Sequence, residues 1–278
     1  MRSDAVQQLW RSRGWRFGLG LGLMLAAIAL AVGFGWLGPD GSVGGPQWQG
    51  ASAAHWFGTN RLGQDIFDRA LAGTATAFRV GGLVTAGALV LGALLGAAAG
   101  WRTGSLLDEV MLYLMGVLDS VPIYLLAAAL AFALGGGELA VITAMTLSFW
   151  TATARLIRGE VARLRTREFV LSAQAIGLPA PLIVGRHLLP NAAHILLVQG
   201  ALTFVAAIKT EVILSFLGIG TLENVSWGLM LAESTQDLLA GHFGNFAAAS
   251  LLLFLLLLAL NLMTDALQDA FDLRETAA

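Results

Sequence analysis

The chain has 278 residues, of which 57% are hydrophobic and 12% are charged, and its formal net charge is −2. An ordinary soluble domain carries about a quarter charged residues, so these charges are too few to cover soluble surfaces. A polytopic membrane protein is therefore the expected class, and the near-neutral charge gives no reason to expect nucleic-acid binding. The absence of cysteine excludes disulfides, thiol catalysis and thiolate metal sites.

A phosphate-binding loop for nucleotides is excluded by the surroundings of the single lysine, Lys209. The residues before it, Phe204–Ile208, contain no glycine, whereas that motif requires a glycine directly ahead of its lysine. We therefore predict that the chain is not an enzyme and binds no cofactor. Any ATP and magnesium that its work consumes would be bound by partner subunits.

Long apolar stretches predict an all-α membrane protein with six transmembrane helices. The first, 17–37, follows a short cytoplasmic N-terminus (1–16) and is bracketed by Trp15 and Trp36, which would lie about 30 Å apart on a helix. A cleaved signal peptide is the alternative, although its apolar region would be shorter. The later spans are predicted at Ala77–Trp101, Ser105–Leu134, Leu139–Leu156, Ala192–Leu217 and Phe246–Met263.

The segments outside the spans are expected to be loops. Residues 38–76 are predicted to form an external loop with an amphipathic segment that lies along the membrane surface. That segment is indicated by apolar residues at helical spacing, namely Leu62, Ile66, Phe67 and Ala70. A second loop, with Gly218, Gly220, Asn224 and Trp227, is expected between the fifth and sixth spans, and residues 266–278 form a polar tail.

One local pattern predicts how the second span packs, and another predicts how the third span begins. Gly92, Gly96 and Gly100 fall at four-residue steps in the second span, and small residues at that spacing let helices approach closely in lipid. Ser105 and Asp108 form a capping-box pattern at the start of the third span. The sequence therefore predicts a packing face on the second span and a capped start for the third.

The distribution of arginines predicts the orientation of the chain. With the N-terminus inside, twelve arginines fall in inner segments, and the outer segments hold only Arg61, Arg69 and Arg79. Cytoplasmic segments of membrane proteins carry the excess of positive charge. Both termini and the polar stretch between the fourth and fifth spans are therefore predicted to lie in the cytoplasm.

The stretch Arg165–Asn191 lies between the fourth and fifth spans and is too polar and too interrupted to cross a membrane. Thr166 is predicted to cap a first short helix, with Glu168 in its first turn, where the helix dipole favours an acid. Gly177 is predicted to end this helix, since glycine adopts the left-handed turn at little cost.

The second half of the stretch predicts another short helix. Pro179 and Pro181 break the chain after the glycine and can start a helix over Leu182–Leu188. Pro190 and Asn191 break the chain again directly before the fifth span. The result is a stiff helix–turn–helix joined by short connections to two membrane helices.

The surface of the first short helix has two interpretations. Phe169, Ala173 and Ile176 share one face at helical spacing, so the helix is amphipathic. Such a helix can dock into a groove on a partner protein or rest on lipid headgroups. Periodicity alone leaves both interpretations open.

The stretch resembles the cytoplasmic loop of type I binding-protein-dependent ABC importer permeases, which is often called the EAA loop. Gly177, Leu189 and Pro190 fall at the family spacing, and Ser172 and Ala173 are the small residues before the glycine. The chain departs from the family at the usual glutamate position.

That departure and its surroundings match the peptide branch of the family in part. Leu171 occupies the usual glutamate position, and Glu168 stands one turn earlier, as is frequent in the peptide branch. Gln174 occupies a position that is frequently basic in that branch.

Other segments of the chain resemble the C-type permease of dipeptide, oligopeptide and nickel importers. His55–Gly81, HWFGTNRLGQDIFDRALAGTATAFRVG, is similar to the HPFGTDxLGRDxxSRxxxGAR segment of that branch. Three further segments match the branch in the right order, which are Glu211–Gly220, Val225–Glu233 and Asn261–Arg274. The resemblance therefore covers most of the chain.

The resemblance implies a type I permease fold in the bacterial cytoplasmic (inner) membrane. Residues 77–265 would form the family's transmembrane domain of five helices, with the coupling loop at 157–191. The implied partners are a second homologous permease, two cytoplasmic ABC ATPases, an external solute-binding protein and the lipid bilayer. The residues that would couple to the ATPase are Glu168, Phe169, Ser172, Ala173, Gln174, Gly177, Arg186, His187, Leu189 and Pro190.

The implied function is to form half of the translocation pathway of an ATP-driven peptide importer. The same machinery also imports nickel chelates or glutathione-like solutes, so these remain alternatives. An ion-gradient-driven secondary transporter would have repeated halves with broken helices, and no internal repeat is visible in the sequence. A non-transporting membrane anchor that recruits a cytosolic partner is the remaining alternative.

Three charged residues in the predicted spans are candidates for the pathway, because charge within a membrane is costly. Asp119, beside the Pro122 break, could meet a substrate amine or cation, or could be bonded to a neighbouring helix. Lys209 and Glu211 are two apart on the fifth span and do not face each other. No metal site is predicted, because the four histidines are scattered over different segments.

Overall fold

The computed structural model describes residues 7, 9–38, 45–220 and 224–272, and these ranges are helical with connecting turns and loops. The helices are α1 (Arg13–Gly33), α2 (Ile66–Trp101), α3 (Leu106–Asp119), α4 (Ile123–Ala133), α5 (Glu138–Leu164), α6 (Glu168–Ala175), α7 (Ala180–Ile183), α8 (Ala193–Phe216), α9 (Trp227–Leu239) and α10 (Gly244–Asp272). Within these ranges α1, α2, α5, α8 and α10 are each long and apolar enough to cross a membrane. The bent pair α3 and α4 is a candidate for a sixth span if the two helices count as one. The predicted all-α fold is confirmed.

The helix pair at the predicted third span is sharply bent. The axes of α3 and α4 differ by 95°, and the chain turns between Asp119 and Pro122. A proline disfavours helical geometry in the residue before it, which explains the position of the break. The start of α3 follows the predicted capping pattern, since the Ser105 hydroxyl accepts a hydrogen bond from the Asp108 amide at 3.5 Å.

The first span lies earlier than the sequence predicts. Helix α1 starts after Ser12, whose hydroxyl accepts a hydrogen bond from the Trp15 amide at 3.3 Å. It ends at Gly33, and Gly35 then takes a positive φ of 72°. Trp36 therefore lies beyond the helix, so the predicted helical spacing of the two tryptophans is not present.

The predicted surface helix before the second span is the first part of α2. Asp65 caps α2 by accepting hydrogen bonds from the amides of Phe67 and Asp68. The helix then runs without interruption for 36 residues to Trp101. Its first turns are amphipathic because they pack against α9, whereas the later turns lie among the other spans.

Helix α9 was predicted as part of a loop. The Ser226 hydroxyl caps it by accepting a hydrogen bond from the Leu229 amide at 3.2 Å. Trp227, its first residue, is 1% exposed and its indole N–H donates to the Ala70 carbonyl at 2.9 Å. The ring fills the space beside Gly73, where a Cβ would lie 2.5 Å from it. Packing between distant segments therefore stabilises this helix.

Helices α2 and α5 form the central pair of the fold, and glycines bring their backbones together. A Cβ at Gly96 would lie 2.4 Å from the Ala154 carbonyl oxygen, and one at Gly100 would lie 2.5 Å from the Arg158 carbonyl oxygen. Neither distance is possible for a real side chain, so these positions require glycine. The packing face predicted from the glycine spacing is confirmed.

Candidate functional site

The insert between α5 and α8, residues 165–192, begins with a turn that follows the end of α5. The predicted Thr166 cap is wrong, because its hydroxyl donates back to the Arg163 carbonyl at 3.0 Å. Thr166 thus lies in the turn directly after α5 and bonds back to the last residues of that helix, as Ser and Thr hydroxyls commonly do. Arg167 is the residue before α6, and Glu168 lies in its first turn as predicted.

The turn after α6 has the geometry that the sequence predicts. Gly177 takes a φ of 81°, and its amide donates to the Gln174 carbonyl at 2.9 Å. The Leu178 amide donates to the Ala173 carbonyl at 3.1 Å. These two bonds form a Schellman motif, which satisfies carbonyls at the helix end and fixes the direction of the next segment.

The second short helix starts earlier than predicted and changes its winding. Helix α7 begins at Ala180, after Pro179, rather than at Leu182. It continues into a π-helical turn over Val184–Leu188 and a last helical segment over Leu189–Asn191. Single π-helical turns are rare and frequently lie at functional sites.

The inner side of the insert packs onto the ends of α2 and α5. The buried apolar residues that do this are Val170, Ala173, Ile183 and Leu188 from the insert, with Ala97, Ile157, Val161, Leu164 and Ala192 around them. The guanidinium of Arg165 donates to the Trp101 carbonyl at 2.6 Å, which satisfies a carbonyl in the last turn of α2. The insert is therefore fixed to the central helix pair and is not a free loop.

The outer side of α6 is an uncovered apolar surface. Phe169 is 44% exposed, Leu171 51% and Ile176 77%. The predicted shared face is wrong in one respect, because Ala173 is buried beside Val170 while its two predicted companions face outward. The buried stripe runs through the third and sixth residues of the helix, so the remaining apolar residues have no cover from this chain.

The other predicted coupling residues lie around this surface. Ser172, Gln174 and Gly177 are exposed on α6 and its turn. On the second half of the insert Arg186 and Pro190 are exposed, and His187 and Leu189 are half-buried. We call the outward side of the insert the docking surface, formed by Glu168, Phe169, Leu171, Ser172, Gln174, Ile176, Leu182 and Arg186.

A buried ion pair that sequence reasoning missed connects α5 to α3. The Arg158 guanidinium donates to both carboxylate oxygens of Asp108, at 2.5 and 2.8 Å. Asp108 is 2% exposed, and its carboxylate also accepts a hydrogen bond from the Gly104 amide at 3.0 Å. Because both carboxylate oxygens of Asp108 bond to the Arg158 guanidinium, the pair holds the start of α3 rigidly against α5. The pair spans fifty positions in sequence, so no local pattern identifies it.

Asp119, the first pathway candidate, lies at the bend between α3 and α4. Its carboxylate accepts a hydrogen bond from the Thr151 hydroxyl at 2.8 Å and forms an ion pair with Arg155. The Asp119 and Arg155 side chains nevertheless remain 43% and 51% exposed. Asp119 is therefore bonded to the neighbouring helix and also accessible from outside this chain.

The other two pathway candidates, Lys209 and Glu211, differ in their exposure. Lys209 is exposed in the second half of α8, and within the described ranges the structure gives it no ion pair or hydrogen bond. Glu211 is 3% exposed and accepts a hydrogen bond from the Ser215 hydroxyl at 2.7 Å. Glu211 therefore lies inside the packed part of this chain, whereas Lys209 lies on its surface.

Comparison with known proteins decides the family. Residues 88–276 match the family of the binding-protein-dependent transport system inner membrane component. This chain belongs to that family. It is a permease subunit of the dipeptide and oligopeptide branch of bacterial ABC importers, in the inner membrane, and the predicted resemblance is confirmed.

Three relatives of the permease are similar over most of their length. The dipeptide transport system permease protein DppC of Bacillus subtilis is 35% identical over 222 residues, which cover 80% of this chain and 69% of the relative. The oligopeptide transport system permease protein OppC of the same organism is 34% identical, with 80% and 72% covered. The glutathione transport system permease protein GsiD of Pectobacterium atrosepticum is 35% identical, with 81% and 74% covered.

The turn at Gly177 offers a direct test of the insert's rigidity. We expect Gly177→Ala to destabilise the permease by about 1–2 kcal/mol, because a residue with a Cβ pays that cost in the left-handed region. Thermal unfolding of the purified permease measures the effect. Gly185→Ala is the matched control, since its Cβ would meet no atom within 4 Å and its φ is not positive. Equal melting temperatures for the two variants would contradict the assignment of the turn.

Proposed function

We propose that the permease forms half of the translocation pathway of an ATP-driven importer of di- and oligopeptides, with the insert as its coupling element. The observation that carries this proposal is the docking surface, an exposed apolar patch on a helix whose opposite side is fixed to α2 and α5. An apolar patch of this kind, on a short helix outside the spans, is typical of a protein interface.

The distribution of charge supports a cytoplasmic position for this surface. Arginines concentrate in the segments that lie on the same side as the insert under the predicted orientation. The partner that docks there is an ABC ATPase, which binds the ATP and magnesium that this chain does not bind. A second homologous permease completes the pathway, two ATPase subunits lie below it, and a solute-binding protein delivers the solute outside.

The contacts of the insert explain how a push on α6 is transmitted. Val170 and Ala173 press on α5, which is one continuous helix of 27 residues. The Arg158–Asp108 pair connects α5 to the start of α3, and a buried bidentate pair resists sliding. A displacement of the docking surface would therefore move α2, α3 and α5 together.

The exposed charges within the spans favour a water-filled pathway along this chain. The Asp119–Arg155 pair and Lys209 would be costly if they faced lipid. A water-filled pathway between two permease chains removes that cost. Asp119 can receive a peptide amine there, and Lys209 can receive a carboxylate.

The solute class follows from the relatives. Two of them are named for dipeptide and oligopeptide transport, and a third is named for glutathione transport. All three kinds of solute contain peptide bonds, free amines and carboxylates. Peptides are therefore the first candidate, and glutathione-like solutes are the second because of the similarity to the glutathione permease.

The absence of cysteine makes a crosslinking test of the coupling role direct. We expect Ala175→Cys, which is exposed at the end of α6, to crosslink to a co-expressed ATPase through a short thiol-reactive bridge. Leu239→Cys is the control, since it is 91% exposed at the end of α9 and lies outside under the predicted orientation. Immunoblotting for the joined product gives the result. Failure of Ala175→Cys to crosslink in an assembled complex would contradict the coupling assignment.

The pathway role of Asp119 is tested by removing its charge. We expect Asp119→Asn to lower dipeptide uptake on the order of tenfold, because a charged hydrogen bond to the solute is lost, while the complex still assembles. Glu160→Gln is the control, because it also breaks an ion pair on α5, with Arg163, but at the insert end of the helix. Uptake by Asp119→Asn equal to that of the control variant would contradict a pathway role.

A further inference from the structure

A cavity of about 350 Å³ opens on the side of the molecule opposite the insert. It lies between the segment before α2, the end of α9 and the start of α10, and no step of the proposed transport uses it. We call it the outer socket and define it by Trp48, Trp56, Asp237, His242, Phe243 and Asn245.

Aromatic side chains form the walls and rim of the outer socket. The indole of Trp48 stacks on the ring of His242, with centroids 5.2 Å apart and planes inclined by 3°. Trp56 and Phe243 are 65% and 64% exposed at the rim. Exposed aromatic rings of this kind are typical anchors of a protein interface.

Trp48 has a strained backbone conformation, which its hydrogen bonds maintain. Its φ is 49°, in the left-handed region that a bulky residue rarely adopts. The indole N–H donates to the Asp237 carboxylate at 3.1 Å, and the backbone amide donates to the Asn60 carbonyl at 3.2 Å. Strained residues persist where the surroundings fix them, and they concentrate at binding sites.

The base of the outer socket holds a carboxylate without a cation. Asp237 is 2% exposed, and within the part of the chain that the structure describes its carboxylate accepts hydrogen bonds only from the neutral Trp48 indole and Asn245 amide. The neighbouring carboxylate of Glu233 is matched differently, since it pairs with Arg69 at 2.7 Å. Burying an unpaired charge is costly, so Asp237 favours a cationic ligand.

Asn245 supplies a second acceptor that has no donor. Its amide nitrogen donates to Asp237 at 3.2 Å and to Glu233 at 3.4 Å, which fixes the orientation of the amide group. The amide oxygen is then buried and has no hydrogen-bond partner among the described residues. The residue is 1% exposed, so bulk water does not compensate for the missing bond.

We infer that the outer socket binds a basic side chain, arginine in preference to lysine, from the external solute-binding protein. A guanidinium stacks on aromatic faces and donates several hydrogen bonds, which matches the Trp48–His242 walls and the two acceptors at the base. The inference rests on the proposed function, because it takes the solute-binding protein as the outer partner.

The charge of the outer surface agrees with a basic partner. The described segments on that side carry five carboxylates (Asp65, Asp68, Glu138, Glu233 and Asp237) against three arginines (Arg61, Arg69 and Arg79). Complementary charge steers a partner to the site and fixes its register. The socket also opens at helix ends and a loop rather than between spans, which favours a docking partner over a solute in transit.

Affinity measurements on the assembled importer test this inference. The importer is placed in nanodiscs and the solute-binding protein is titrated against it. We expect Phe243→Ala and Asp237→Asn each to weaken binding on the order of tenfold or more, as hot-spot residues do. Leu239→Ala, on the same outer surface but outside the socket, is the control and should bind like the unchanged importer.

A soluble probe distinguishes the chemistry of the ligand. N-acetyl-arginine amide carries a guanidinium but no free amine or carboxylate, and it should compete with the solute-binding protein. The dipeptide Ala-Ala, added as a free amine, should not compete at the same concentration. Competition by the dipeptide alone would overturn the inference, because the socket would then be a solute site.

The variants also separate failure of this inference from failure of the proposed function. Phe243→Ala breaks no buried hydrogen bond, so it keeps the test valid if Asp237→Asn fails to fold. Unchanged affinity for Phe243→Ala, with normal ATP-dependent uptake by the parent importer, would overturn the socket alone. An assembled parent importer that neither binds a solute-binding protein nor takes up peptide would overturn the proposed function.

Discussion

The backbone contact between α2 and α5 is the constraint on which the rest of the structure depends. Gly96 lets the two helices approach so closely that even a methyl group would meet the Ala154 carbonyl at 2.4 Å. The insert packs on the ends of these same two helices, and Arg165 bonds to the last turn of α2. A coupling element on a loosely packed base would absorb a push, whereas one on a close-packed pair transmits it, because packed interiors are stiff.

Local patterns predicted the parts of the insert that local forces determine. Gly177 was identified as the helix end because few other residues tolerate a φ of 81°. Thr166 was assigned wrongly as a cap because it lies in the turn after α5, where its hydroxyl bonds backward to Arg163 rather than forward to the next helix. Helix α9 was missed because its stability depends on Trp227 packing on α2, which no local pattern shows.

Long-range ion pairs could not be predicted, and they organise both ends of the molecule. The sequence identifies charged residues in spans as costly, but it does not say which partner each one has. Arg158 pairs with Asp108 across fifty positions, and Arg69 pairs with Glu233 across 164. These pairs leave Asp119 half-exposed at a 95° bend and leave Asp237 without a cation at the opposite end. Asp119 and Asp237 are the charged groups that the rest of the chain does not fully compensate, and we therefore assign external partners to them.

The rigid attachment of the insert to α5 is tested most directly by a distance measurement within one chain. Spin labels at Ala175→Cys on α6 and Leu147→Cys on the exposed side of α5 report the distance between the insert and the membrane core. Pulsed electron paramagnetic resonance would compare the assembled importer without nucleotide and with ATP trapped. We expect the distance to change by less than about 2 Å, the scale of shifts within a packed unit. A change of about 5 Å or more, one helical turn, would show that the insert swings independently of α5 and would contradict the account.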